Sequence, residues 1–210
     1  MSGESEKHFV HRLEAFSDIV IGFSLAQLGV NLVIPANGAE LFQNPSWLIA
    51  FAVAFAAVCS MWFFHHLLFV RCFVPKALPV IINFIWLGIV ILLVFASELN
   101  VRMPTDIVVV RMYFFLYGLA YAILGLQYVI SLRYLGSSID AADRARAQRA
   151  MWFMFLWTVP FSICFVASAA LPIGNAFGII TMLSFAVASI GSWLLASYYG
   201  RADVLQKRAG

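Results

Sequence analysis

Asp18, His65, His66 and Asn83 are the residues of this chain whose types could do chemistry where they stand, because each lies inside a long apolar run. A carboxylate beside an imidazole can act as an acid/base pair or pass a proton, and an ionisable group within a membrane span points to an ion or proton pathway. A structural reading competes with that one. Asp18 can be held by Arg12, a histidine or backbone donors and so fasten one helix to the next; His65 and His66 can pair with it while still titrating near neutral pH. A metal site needs more than adjacent histidines, and no third ligand has a recognisable spacing, so no metal is expected. Nothing beside the cluster resembles an activated nucleophile, and the chain has no GxSxG, HExxH, P-loop or dinucleotide fingerprint. No enzymatic activity and no cofactor are therefore expected.

The elements that must position these residues are membrane spans. The chain has 210 residues, of which 63% are hydrophobic and 11% charged, with mean hydropathy +0.94; soluble domains are about 25% charged. These values define an integral membrane protein of a single transmembrane domain, 1–210. The net charge of +3 comes without a basic block, which leaves no nucleic-acid partner in view. The three cysteines, Cys59, Cys72 and Cys164, are scattered without CxxC spacing and read as buried thiols. The first apolar run is too long for a signal peptide and is expected to be retained.

Hydropathy predicts an all-α fold of six transmembrane helices, over about 12–35, 46–73, 78–99, 105–134, 141–171 and 175–200. Ser46 is placed to cap the second, with Trp47 at an interface, and Pro79 lies in the first turn of the third, where proline is tolerated. Asp140 is placed to cap the fifth, and Pro160 to bend it. Tyr198 and Tyr199 suit an interfacial belt. With the N-terminus cytoplasmic, 11 of the 13 Lys and Arg residues fall on the inner side and only Arg102 and Arg111 on the outer side, so both termini are expected in the cytoplasm. This alternation brings Asp18, His65, His66 and Asn83, from three helices, to a similar depth near the cytoplasmic surface, with Arg12 and Ser17 next to them.

The first span is unusual in its own right. Its length suits a hydrocarbon core of about 30 Å, yet it carries Ser17, Asp18, Ser24, Gln27 and Asn31. On a helical wheel Ser24, Asn31 and Gln27 fall within roughly 80° of Ser17. Gly22, Ala26 and Gly29 form a second face, with Asp18 at its edge; small residues let membrane helices approach closely, so this face is expected to pack within the subunit. The polar stripe then meets either water or another protein surface, where its members would hydrogen-bond between helices.

At these residues the chain resembles the bacterial six-helix branch of the transmembrane protein 175 family of potassium channels. Arg12, Phe16, Ser17 and Asp18 are similar to that family's R-x-x-x-F-S-D signature, and Trp62, His65 and His66, followed by Phe69, to a W-x-x-H-H pattern; Asn83 matches an amide early in the third helix. The resemblance implies a homotetramer whose first helices line a central cation pathway, without a TVGYG filter. Against a family pattern like FSDGVFAIAITLLVLEL, the bulky ladder positions here are Phe23, Gln27 and Val30, and the hydroxyl position is Ala26. An amide thus replaces the central aliphatic constriction. Hydrophobic necks gate by dewetting, so Gln27 is expected to wet the neck and weaken potassium selectivity.

The reading that joins these observations is a passive monovalent cation channel of potassium type in the bacterial plasma (inner) membrane. Its proposed pore positions are Phe23, Ser24, Gln27, Val30 and Asn31, and Arg12, Phe16, Ser17, Asp18, Trp62, His65, His66 and Asn83 form a supporting polar network. The expected partners are further copies of the chain, the bilayer and the permeant cation. Two other readings stay open at this level: a proton-coupled carrier using Asp18 with His65 or His66, and a non-conducting membrane scaffold or sensor with a dry polar core.

Overall fold

Apolar runs of this length form helices in a bilayer because a helix satisfies its own backbone hydrogen bonds. The computed structural model describes residues 3–30 and 46–209, and every long element among them is a helix. In chain order these are α1 (Gly3–Val30), α2 (Ser46–Arg71), α3 (Ala77–Arg102), α4 (Ile107–Leu135), α5 (Ala141–Ala170) and α6 (Asn175–Ala209), with a single 3-10 turn at Gly136–Ser138. Six of the described helices contain a stretch long and apolar enough to cross a membrane. Asn31 and Pro35 lie outside the described residues, as do the side chains of Ser46, Trp47, Tyr198 and Tyr199.

The helix boundaries have local causes. α1 begins well before its expected start at residue 12, in a polar first turn where Glu4 and Glu6 complement the positive end of the helix dipole. The Asp106 carboxylate accepts from the Val108 and Val109 amides at 2.9 and 3.2 Å and caps α4. Asp140 caps α5, as expected, by accepting from Ala142 N at 2.9 Å. Gly136, at φ +50°, supplies the left-handed residue that ends α4. α5 continues through Pro160 without a break.

The most extensive helix pair is α4 with α5, followed by α3 with α4; α1 lies across α2 and α3, and α6 packs on α5. Glycine allows the first of these contacts: a Cβ added at Gly125 would meet Phe155 Cε1 at 3.1 Å and Met154 Cβ at 3.3 Å. Aromatic rings fill much of the core, with Tyr117 stacked on Phe161 at 4.9 Å between centroids. Tyrosine hydroxyls tie α4 to α2: Tyr121 meets Ser60 at 3.1 Å, and Tyr128 donates to the Phe64 carbonyl. The core thus forms chiefly within α2–α5, and α1 is added on its flank.

Gly125→Leu should separate α4 from α5 and lower stability by about 1–3 kcal/mol. Gly88→Ala, where an added Cβ meets nothing within 4 Å, should leave stability unchanged or raise it. Thermal unfolding of the two variants in detergent measures the difference.

Candidate functional site: a buried polar junction and an exposed face on the first helix

The face that α1 turns inward consists of Leu13, Ser17, Ile21, Ser24 and Leu28, recurring at intervals of three and four residues. The expected arrangement holds for Gln27, which is exposed, and fails for Ser17 and Ser24, which turn inward, and for the small-residue face. Gly22 and Ala26 are exposed, and an added Cβ at Gly22 or Gly29 would touch nothing within 4 Å. The serines are buried because each returns its hydroxyl proton to its own helix: Ser17 donates to the Leu13 carbonyl at 2.9 Å and Ser24 to the Val20 carbonyl at 2.8 Å. A hydroxyl satisfied in this way packs among apolar neighbours at little cost. Ser24 is therefore turned toward the interior of the subunit, at the edge of the groove between α1 and α3.

Ser17 is one end of a chain of hydrogen bonds that joins three helices. The single Ser17 proton goes to Leu13, so its oxygen accepts from Asn83 Nδ2 at 3.1 Å. The other end of that amide, Asn83 Oδ1, lies 2.8 Å from His65 Nε2. An amide oxygen only accepts, so the network assigns the His65 proton to Nε2. Ser17, His65 and Asn83 are all fully enclosed, at 0% exposure. Above them Trp86 stacks on His65 at 4.5 Å and 5°, and the Trp86 indole donates to the Ala120 carbonyl at 3.0 Å, which carries the connection into α4. Phe69 covers the imidazole from another side, at 4.8 Å.

A second, more exposed layer has its polar contacts between α1 and α2. Trp62 Nε1 donates to Asp18 Oδ1 at 2.8 Å, and His66 Nδ1 lies 2.9 Å from Glu14 Oε1. The Trp62 and His66 rings stack at 6.0 Å, and Phe16 meets Phe84 of α3 edge-on at 5.9 Å. The expected pairing of Asp18 with a histidine is corrected here: Asp18 takes the indole, His65 takes Asn83, and His66 takes a carboxylate one turn earlier on α1. Arg12 is exposed and forms no hydrogen bond or ion pair with the cluster among the described residues. Glu14 and Trp86 were not expected. Glu14 stands four residues before Asp18 and Trp86 three after Asn83, so the spacing that puts them on those faces is present in the sequence.

On its other side α1 presents Ile19, Phe23, Ala26, Gln27 and Val30 away from the subunit interior. Phe23 and Val30 are 74% and 77% exposed, high values for bulky apolar side chains on a helix that packs on two neighbours. Three of the positions named from sequence as pore-lining, Phe23, Gln27 and Val30, thus share this outward face; Asn31 lies outside the described residues. A groove between α1 and α3 runs alongside, lined by Phe23, Ser24, Gln27, Ile91, Phe95 and Glu98.

Fold and site together define a membrane protein with six candidate spanning helices among the described residues, in which a buried polar junction fixes the first helix and leaves one of its faces exposed. Residues 12–93, from α1 through most of α3 and including every member of the cluster, match the family model of the endosomal/lysosomal potassium channel TMEM175. A "Potassium channel" of Marivirga tractuosa is 24% identical over 96 residues, which cover 46% of this chain and 39% of that relative's length. The fold is similar to that in the crystal structure of a lysosomal potassium-selective channel TMEM175 homolog from Chamaesiphon Minutus, with TM-score 0.67 and 17% identity over 91% of this chain and 98% of that one. A variant of the potassium channel MtTMEM175, in complex with a Nanobody-MBP fusion protein, is also similar, with TM-score 0.62 and 17% identity over 92% and 93% of the two chains.

Asn83→Leu should leave the His65 N–H and the Ser17 oxygen buried without partners and lower stability by about 2–4 kcal/mol. Asp18→Asn keeps an acceptor oxygen for Trp62 in an exposed setting and should change stability by less than about 1 kcal/mol. Unfolding of the two variants in detergent reads the contrast, and equal losses would contradict the division into two layers.

Proposed function

We propose that this multi-pass membrane protein is a channel that passes monovalent cations, potassium first among them, down their gradient. In this reading four copies assemble around their α1 helices in the bacterial plasma membrane, with both termini in the cytoplasm, and Phe23, Gln27 and Val30 line the shared path. The observation that carries the proposal is the open face of α1. Large apolar side chains and an amide follow one another there at helical spacing, on the side opposite the buried junction. The family match over 12–93 and the shared fold support the assignment.

The hydrogen-bond geometry favours a channel over a proton-coupled carrier. From His65 the chain runs through an amide and a hydroxyl to the Leu13 carbonyl, inside one subunit, and a carbonyl has no proton to hand on. Asp18 is tied to Trp62 in the other layer. Both arrangements fasten α1 at a fixed angle and so hold Phe23, Gln27 and Val30 in register. Gln27 places amide dipoles where an aliphatic ring would exclude water, so hydrated ions of more than one kind enter the neck.

Purified protein in liposomes should carry potassium down its gradient. Gln27→Leu should lower total flux and raise the preference for potassium over sodium several-fold, and Phe23→Ala should raise flux of both ions. Absence of flux for every monovalent cation tested would contradict the channel and favour a scaffold; uptake that requires a pH gradient and is lost in Asp18→Asn would favour the carrier.

A further inference from the structure

At the end of the bundle where α2 finishes and α5 begins, a groove opens between α2, α5 and α6. Its rim carries three guanidinium groups, Arg71 at the last residue of α2 and Arg146 and Arg149 on one face of α5. Its floor is the stacked pair Phe64 and Phe153, with centroids 4.6 Å apart, and Leu195 of α6 closes one side. We propose that this groove is a binding site for an anionic phospholipid, with the phosphodiester on the arginines and an acyl chain along the aromatic floor.

Three features of the groove support this occupant. The first is charge: Arg71, Arg146 and Arg149 line the groove together, and Asp143 pairs with Arg146 at its edge, at 3.2 Å. Guanidinium groups bind phosphate oxygens in bidentate fashion, which suits them to this partner better than to a point charge. The second is the way charge and apolar surface are layered along two helices. On α2, Phe64 and Arg71 are seven residues apart; on α5, Arg146 and Phe153 have the same separation. Each helix therefore runs from a cation to an aromatic ring over about 10 Å along one face. A free phosphate would use only the rim, whereas a phospholipid uses both levels. The third is location: the groove belongs to membrane-spanning helices, at the end that carries most of the chain's Lys and Arg, where basic pockets meet anionic headgroups.

The test uses delipidated full-length protein in detergent and native mass spectrometry. Phosphatidylglycerol and phosphatidylcholine with the same acyl chains are titrated separately. Wild type should retain phosphatidylglycerol with a preference of about tenfold, and Arg71→Gln with Arg149→Gln should remove the preference. Should the double variant fail to fold, Arg146→Gln decides alone; Arg146 is exposed, and this change should weaken the preference several-fold. Arg133→Gln, exposed near the same end and outside the groove, should have no effect. Glycerol 3-phosphate should displace phosphatidylglycerol only at concentrations far above those of the lipid. Equal retention of the two lipids, equal effects of Arg146→Gln and Arg133→Gln, or displacement by glycerol 3-phosphate at matched concentration would each overturn the proposal.

Discussion

The amide of Asn83 is the contact on which the placement of α1 depends. It is fully buried and uses both ends, the nitrogen for Ser17 of α1 and the oxygen for His65 of α2. In a bilayer the hydrophobic effect does not hold one apolar helix to another, so packing and interhelical hydrogen bonds choose the orientation. A buried amide with two specific partners chooses sharply, because any rotation of α1 leaves polar groups unsatisfied in hydrocarbon. Trp86 then transmits this choice to the core, since it lies flat on His65 and holds the Ala120 carbonyl of α4.

This constraint accounts for the exposed side of the helix. Once Ser17 faces Asn83, helical periodicity sends Ile21, Ser24 and Leu28 inward and Phe23, Gln27 and Val30 outward. Asp18 sits beside Ser17 at the edge of the contact and reaches Trp62, so a carboxylate that looked like chemistry by its type serves to anchor. Glu14 and His66 add a second clasp between the same two helices. Function in the proposed channel then resides in a face turned away from the interior of the subunit.

Much of this was legible in the sequence. Hydropathy located all six spans, and the alternation of spans brought Asp18, His65, His66 and Asn83 to one level. Asp140 could be read as a cap because its type and position ask for one. The choice of partners within the level could not be read, because each of these side chains can hydrogen-bond with several of the others, and depth alone does not say which meets which. The inward face of α1 was misjudged for a related reason. Serine counts as polar on a helical wheel, yet Ser17 and Ser24 spend their protons on the backbone of their own helix and pack as small apolar groups. Small residues such as Gly22 and Ala26 mark a close approach only when something approaches them, and among the described residues both face outward.

Disulfide trapping between subunits tests most directly whether the outward face of α1 looks onto a shared axis. In a background with Cys59, Cys72 and Cys164 replaced by serine, single cysteines are placed at positions 23, 24, 28 and 30 and the membranes are treated with a mild oxidant. Phe23→Cys and Val30→Cys should crosslink into dimers on a denaturing gel, while Ser24→Cys and Leu28→Cys, turned into the subunit, should stay monomeric. Phe23→Cys and Val30→Cys remaining monomeric, or Ser24→Cys crosslinking as readily as they do, would contradict it.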